Sequence, residues 1–190
     1  MQRNTKRSRG KKFSLKLQPE LVPQPLWGLS ACKLLRGLAP WKQIRFAELE
    51  RAGHRCETCG ATSHPLFCHE QWQYDDQKSV ATLTAFHLAC ADCNLVLHMG
   101  LAHLRGEFTQ ALAQLCRVNQ IAEESAKQIF ANARSIWRKR SRKHWRVGVV
   151  PELLQTYPQL KVLVGLDTQR VGPQRELRFR VTGDKIVEMK

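Results

Sequence analysis

The sequence has no long apolar run. No stretch approaches the roughly 20 consecutive apolar residues that a bilayer-spanning helix needs. The start of the chain, "MQRNTKRSRGKKF", is basic and lacks the apolar core of a signal peptide. We therefore expect a protein that neither spans a membrane nor is secreted, and a reducing, cytoplasmic compartment.

Acidic residues are also scarce. The chain has 31 Lys and Arg but only 16 Asp and Glu, which leaves a formal charge of +15 at pH 7. An excess of this size predicts a polyanionic partner, such as nucleic acid or an anionic membrane surface. No internal repeat accompanies it, and we find no low-complexity tract beyond the basic start.

The positive charge is concentrated in two places. Residues 1–13 are predicted to be a disordered arm that binds phosphates or merely keeps the chain soluble. The second place is "ARSIWRKRSRKHWR", where two tryptophans interleave with the cations. A solvated helix face usually mixes signs, so we predict nucleic-acid contacts here, with plain solvation as the alternative. The residues concerned are Arg138, Lys139, Arg140, Arg142 and Lys143.

Hydrophobic periodicity divides the rest of the chain into segments. Residues 14–53 are predicted to be an irregular wrap followed by a helix that ends at Gly53. Residues 105–147 have two apolar stripes of helical period that meet near Asn119, which predicts a helical hairpin. Residues 148–190 are predicted to be a β-rich extension, because "LKVLVGL" is β-like and "RELRFRVTGDKIVEM" has the pattern of a strand pair.

Four of the seven cysteines form two Cys-x-x-Cys pairs, Cys56 with Cys59 and Cys90 with Cys93. In a chain that is not secreted, this spacing predicts one tetrahedral zinc bound by four thiolates. A closed four-cysteine site is structural, because no position is left for water or substrate. The alternative is two unrelated redox or buried pairs. The other cysteines are predicted to be free and buried, although Cys68 adjoins a histidine and could join a metal site; they are Cys32, Cys68 and Cys116.

Two further stretches suggest a second metal site. In "CNLVLHMG", Asn94 and His98 are four positions apart, so on a helix both would project from one face and could share a metal ion. Upstream, "CHEQWQYDD" places His69 and Glu70 next to Trp72 and Tyr74. The two aromatics alternate with polar residues as in a strand, and we expect them to pack against the zinc module rather than to stack on bases.

The motifs "CETCG", "CHE" and "HLACADCNLVLH" together resemble the zinc-ribbon branch of the HNH endonuclease family, over roughly residues 54–103. The resemblance implies an α+β chain whose residues 54–104 form a ββα-metal module flanked by a zinc ribbon. It also implies that Asn94 and His98 face a catalytic Mg²⁺ or Mn²⁺ and that His69 is the general base. Many members carry a metal ligand at the position that Cys68 occupies. We expect Glu70, Asp75 or His87 to replace that ligand; alternatively, His69 is itself a ligand and another group is the base.

The implied activity is metal-dependent hydrolysis of phosphodiester bonds in DNA, with RNA as an alternative substrate. The chemistry agrees with the residue types, because one histidine can deprotonate water and one hard cation can stabilise the charge that develops. Thiolates select zinc, whereas oxygen and imidazole ligands suit Mg²⁺ or Mn²⁺, so both sites can coexist. We expect a protein or nucleoprotein partner to supply targeting, as in a defence or mobile-element system. The rival hypothesis is a non-catalytic, zinc-dependent nucleic-acid-binding or scaffold protein with an HNH-like fold.

Overall fold

The protein has a mixed α+β fold in a computed structural model that describes residues 15–35, 39–62, 65–171, 179–182 and 185–188. The predicted arm, residues 1–13, lies outside the described residues. Within the described part of the chain, no helix is both long and apolar enough to cross a membrane.

A small three-stranded sheet carries the central segment. Strands β1 (Leu66–Asp75) and β2 (Val80–Cys90) are antiparallel, with His69 opposite His87, and the register shifts between Gln71 and Trp72. Strand β3 (Arg146–Val149) pairs in parallel with the start of β2. Alternating Val, Thr, Leu and Phe in β2 suit a pleated surface that is partly buried on both faces.

Helices precede and follow the sheet. Helix α1 (Ala31–Leu35) and helix α2 (Ala39–Arg51) come before β1, and Gly53, at φ +59°, ends the second of them. The helices that follow β2 directly are α3 (Ala91–Leu97), α4 (Met99–Leu104), α5 (Phe108–Asn119) and α6 (Glu123–Arg140). The predicted helix before the first cysteine pair and the two helices predicted in 105–147 are therefore confirmed.

The buried side chains form two clusters. The first contains the buried cysteines of both pairs, α3, and the apolar faces of α5 and α6. The second lies around Trp145 and includes Ile44, Leu83 and Phe86. Cys68 packs against both clusters, so β1 lies where they meet.

Trp72 and Tyr74 pack as predicted, but not against the predicted neighbour. Both contact the second cluster, and the Tyr74 ring meets the edge of Trp145 with ring centroids 5.4 Å apart. The zinc module belongs to the first cluster. The prediction of its location was wrong because the period of a strand shows which residues share a face and not what covers that face.

The C-terminal extension begins with the last two residues of β3, but the segment that follows is helical rather than β. Helix α7 (Pro151–Thr156) is followed by a 3-10 helix at Pro158–Leu163 and by α8 (Thr168–Val171). Tyr157, Leu160 and Leu163 are buried in the second cluster. A spacing of three residues is the period of a 3-10 helix, which explains how an apolar run that looks β-like adopts this form. The predicted strand pair is confirmed further on, where β4 (Phe179–Thr182) pairs with β5 (Lys185–Glu188).

Candidate metal centre and histidine pair

The four cysteines of the two Cys-x-x-Cys pairs come together. The sulfurs of Cys56, Cys59, Cys90 and Cys93 all lie within 4.8 Å of one another. A cluster of this size can hold a metal ion such as zinc, which thiolates bind tetrahedrally. The prediction that the two pairs form one metal site is confirmed to this extent.

Local backbone geometry explains how the first pair is presented. The Gly60 N–H donates to the Cys56 carbonyl at 2.8 Å, and the Cys56 N–H donates to the Ala61 carbonyl at 2.8 Å. Gly60 has φ +76°, a left-handed conformation that glycine adopts without strain. The second pair lies where β2 ends and α3 begins, with Cys90 as the residue before the helix. A bound ion would therefore tie the turn at 56–60 to the start of α3.

The surroundings of the cluster favour a thiolate at Cys56, whereas burial raises the pKa of the Cys90 thiol and the hydrogen bond to Cys56 raises that of Cys93. The pKa of the Cys56 thiol is lowered, chiefly because Cys93 donates to its sulfur and further because the N–H groups of Cys90, Cys59 and Thr58 point at it. At Cys93, the Gln114 side-chain amide donates to Sγ at 3.1 Å. Gln114 is only 5% exposed. Its amide oxygen accepts two hydrogen bonds from the Arg117 guanidinium, at 2.9 and 2.7 Å.

A histidine pair forms where β1 faces the end of α3. His69 Nδ1 and His98 Nε2 are 3.2 Å apart, and the two rings meet edge to face with centroids 4.8 Å apart. His69 is only 6% exposed. His98 is exposed as a whole, but desolvation of its ring and the neighbouring His69 lower its pKa below the ordinary value.

The carboxylate that meets this pair is Glu20. Its Oε2 accepts a hydrogen bond from His69 Nε2 at 3.1 Å. Glu20 lies 49 positions before His69, in the wrap that precedes the helices. The sequence contains no local signal for this contact, and Glu20 was not among the residues predicted for the site.

Asn94 lies one turn before His98. The Asn94 carbonyl accepts a hydrogen bond from the His98 N–H at 3.0 Å, so the two residues are consecutive along one side of the helix end. The Asn94 side chain is half-buried. His98 itself is the residue that ends α3 and precedes α4.

The residues predicted to replace a ligand at Cys68 make other contacts. Glu70 Oε1 accepts from the Cys32 N–H at 3.0 Å, in the first turn of α1, and burial raises the pKa of Glu70. Asp75 caps the β1–β2 turn by accepting from the Gln77 and Lys78 N–H groups. His87 Nε2 is hydrogen-bonded to the Thr58 hydroxyl at 2.7 Å, beside the cysteine cluster. His87 lies opposite His69 in the sheet, but Glu20, and none of these three, is hydrogen-bonded to the His69 ring.

Cys68 is half-buried. Burial raises the pKa of its thiol to about 12, and the carboxylates of Glu48 and Glu70 add to the effect. A thiol with this pKa stays protonated at neutral pH and is a poor metal ligand, since thiolates are the form that binds. Cys32 and Cys116 are half-buried rather than fully buried as predicted, and neither lies in the four-cysteine cluster.

The predicted nucleic-acid residues differ in their surroundings. The Arg140 guanidinium donates to both carboxylate oxygens of Asp76, and Lys143 Nζ donates to the Asp76 carbonyl at 2.6 Å. Arg140 also lies 4.4 Å from the centroid of the Tyr74 ring. These two cations therefore hold the β1–β2 turn against the end of α6. Arg138, Lys139 and Arg142 are exposed.

Comparisons of this chain with protein-family models, with curated proteins and with solved structures find no match.

Proposed function

We propose that this protein is a metal-dependent endonuclease of the HNH type that hydrolyses phosphodiester bonds in DNA. The observation that carries the proposal is the contact between His69 on β1 and His98 at the end of α3. It joins the two motifs that the resemblance assigns to one catalytic centre. Strands β1 and β2 and helix α3 follow one another along the chain, in the order of a ββα unit.

The position of the cysteine cluster also supports the proposal. Cys90 and Cys93 lie at the start of α3, and His98 lies at its end. A metal ion bound by the cluster would anchor the N-terminal end of the helix whose other end carries the histidine. Such an anchor holds catalytic groups in place without taking part in the chemistry.

The donor atoms suit a divalent cation. Nitrogens bound to one ion at about 2.1 Å lie roughly 3.0 to 3.4 Å apart, and His69 Nδ1 and His98 Nε2 are separated by 3.2 Å. Asn94 could add an amide oxygen, which suits Mg²⁺ or Mn²⁺. When bound, the cation would stabilise the negative charge that develops on the phosphate oxygens. His69, if it is not a ligand, is the base that takes a proton from the attacking water.

The charge of the chain supports a nucleic-acid substrate. Arg138, Lys139 and Arg142 are exposed beside the half-buried Arg140 and Lys143, at the end of α6. Contacts of this kind supply affinity that does not depend on base sequence. We infer that targeting comes from a protein or nucleoprotein partner, as in a defence or mobile-element system.

A second candidate is a non-catalytic zinc-dependent nucleic-acid-binding or scaffold protein. The observation that favours it is that both ring nitrogens of His69 already have hydrogen-bond partners within the protein. His69 is 6% exposed, and its two ring nitrogens are hydrogen-bonded to Glu20 and His98. In this arrangement His69 has no free nitrogen for a water molecule.

Plasmid cleavage in Mg²⁺ or Mn²⁺ separates the two candidates. The wild-type protein is compared with His69→Ala, Asn94→Ala and His98→Ala, and with His54→Ala as the matched control. His54 is an exposed histidine that pairs with Glu50 on α2. We expect the wild type and the control to cut alike, and the three site variants to lose about 100-fold or more in rate. If all five bind DNA equally and none cuts, the scaffold candidate replaces the nuclease.

A further inference from the structure

The segment that carries Glu20 is held firmly on its N-terminal side. Asn119, at the end of α5, accepts hydrogen bonds from the N–H groups of Lys16 and Leu17 through Oδ1. Its Nδ2 donates to the Leu17 carbonyl at 2.8 Å and to the Leu115 carbonyl at 3.0 Å. The Leu17 side chain is 2% exposed and belongs to the first cluster. A buried amide with this many partners fixes the backbone three residues before Glu20.

The segment is also held at Glu20 itself and beyond it. The Glu20 N–H donates to the Leu97 carbonyl at 3.0 Å, next to His98. Leu21 then lies against Gly100, where an added Cβ would meet Leu21 Cδ2 at 3.3 Å. The carboxylate of Glu20 is therefore positioned by its own backbone, and 29% of its side chain remains exposed.

The position of the Glu20 carboxylate determines which ring nitrogens of His69 and His98 carry protons. An ionised carboxylate only accepts hydrogen bonds, so His69 Nε2 must carry a proton to donate to Glu20 Oε2. When the His69 ring is neutral, its Nδ1 then has a lone pair and accepts from His98 Nε2. In the protein without the catalytic cation, the same contact sets the protonation of both rings, since neutral His98 must be the Nε2–H form in order to donate.

We propose that Glu20 is a positioning residue for His69, which accepts the Nε2 proton so that Nδ1 becomes the basic nitrogen of the ring. The effect of Glu20 on cleavage rests on the function proposed above, whereas the effect of Glu20 on the His69 tautomer does not. The nitrogen left basic is the one that faces His98, where the substrate water and the cation would have to lie. Without Glu20, the ring proton of His69 is free to move from Nε2 to Nδ1. A protonated Nδ1 can no longer accept a proton from the attacking water.

Nitrogen NMR of the full-length, zinc-loaded, ¹⁵N-labelled protein tests the tautomer directly. Long-range ¹H–¹⁵N correlations distinguish a protonated ring nitrogen from a bare one, and His69→Gln and His98→Gln assign the signals. At pH 7.5 without added Mg²⁺, we expect both neutral rings in the Nε2–H form. In Glu20→Leu the His69 signals should shift toward a mixture of the two forms. Glu20→Gln should keep the wild-type pattern, because its amide oxygen still accepts.

Glu50→Leu is the matched control. Glu50 makes an exposed contact with His54 Nε2 at 2.9 Å, so the substitution removes one carboxylate and one Glu–His pair at a site distant in the chain. We expect it to leave the His69 and His98 signals unchanged. A wild-type His69 in the Nδ1–H form, or a Glu20→Leu protein with the wild-type pattern, would overturn the proposal. The Glu20→Gln protein keeps the test valid if the Leu variant does not fold.

Cleavage by the same variants tests the catalytic consequence. We expect Glu20→Leu to lower kcat roughly 10- to 100-fold, the usual effect of losing a residue that orients a functional histidine, with Glu20→Gln close to wild type. If the wild type does not cut, the proposed nuclease function fails and the NMR result still decides the role of Glu20. If Glu20→Leu cuts at the wild-type rate despite a shifted tautomer, the catalytic part of the inference is wrong.

Discussion

The side-chain amide of Gln114 donates a hydrogen bond to Cys93 Sγ at 3.1 Å. Arg117 holds the other end of that amide through two hydrogen bonds to Oε1. The positive charge of a guanidinium on α5 thus polarises an N–H group that points at a sulfur of the four-cysteine cluster. Partners of this kind orient metal ligands and tune how tightly the metal is held.

We predict that Gln114→Leu weakens zinc binding by roughly 10-fold, because Cys93 Sγ loses its N–H donor while the apolar packing is kept. Competition with a chromogenic zinc chelator measures the affinity. Gln110→Leu is the matched control, since Gln110 makes an exposed hydrogen bond to Asp92 one helical turn earlier. Equal zinc affinity in the two variants would show that the Gln114 contact has no influence on the metal.

Tyr157 links the C-terminal extension to α2. Its hydroxyl donates to Glu48 Oε1 at 2.8 Å, and the other Glu48 oxygen accepts from Arg51 Nε. Glu48 is 4% exposed. We predict that Tyr157→Phe lowers the free energy of unfolding by about 1 to 3 kcal/mol, because a buried carboxylate oxygen loses its partner.

Urea denaturation of Tyr157→Phe, Glu48→Leu and the double variant measures the Tyr157–Glu48 interaction as a cycle, because each single variant removes the hydrogen bond. We expect the two single effects to be non-additive by about 0.5 kcal/mol or more. Additive effects would mean that the hydrogen bond between the two side chains does not stabilise the fold.

Cys68 occupies the position where the resemblance to the HNH family places a metal ligand, but the residues around it disfavour a negative charge on its side chain. The residue is half-buried, and desolvation together with the Glu48 and Glu70 carboxylates raises the pKa of its thiol. We predict that Cys68→Asp destabilises the protein by about 3 kcal/mol or more, because it adds a carboxylate beside those of Glu48 and Glu70, which outweigh the one nearby cation, Arg45. The substitution should not improve metal-dependent cleavage.

Thermal and urea unfolding measure this destabilisation, with Phe67→Asp as the control. Phe67 is the neighbouring strand residue and is 40% exposed, so a carboxylate there stays in water. We expect the control to change stability by less than about 1 kcal/mol. A stable Cys68→Asp protein with higher Mg²⁺-dependent activity would show that this position faces the catalytic cation.

Asp76 neutralises part of the basic cluster at the end of α6. The Arg140 guanidinium beside Asp76 is the main cause of a lowered pKa for that carboxyl, and Lys143 lies 3.6 Å from its Oδ1. We predict that Asp76→Asn strengthens binding to duplex DNA at low salt, because Arg140 and Lys143 lose their anionic partner. Lys139→Ala and Arg142→Ala should each weaken binding and reduce the salt dependence by about 0.9 in the log–log slope.

Fluorescence anisotropy over a salt series measures both effects, with Lys161→Ala as the control for the loss of one exposed cation. Lys161 lies on the 3-10 helix of the C-terminal extension, away from the predicted cluster in sequence. If the control alters DNA binding as much as Lys139→Ala does, the net charge of the chain and not the cluster governs affinity.

Local sequence patterns predicted the elements that are determined by interactions between residues close together in the chain. The two Cys-x-x-Cys pairs indicated one cluster, because a tight turn presents two sulfurs at this spacing and zinc takes four. Apolar residues of helical period, with Asn119 between them, predicted α5 and α6. The same reasoning failed at Pro158–Leu163, where buried residues three apart belong to a 3-10 helix and only packing separates this form from a strand.

The contacts around His69 show the limit of such patterns. By itself, the sequence made Asn94 and His98 candidates through their spacing, and it made His69 a candidate through the resemblance to the HNH family. Tertiary structure alone decided that Glu20 reaches His69 from 49 positions away, and that Arg140 pairs with Asp76 across 64 positions. Hydrogen bonds and ion pairs act over a few ångströms, and residues so distant in the chain come that close only when the packed core brings their backbones together.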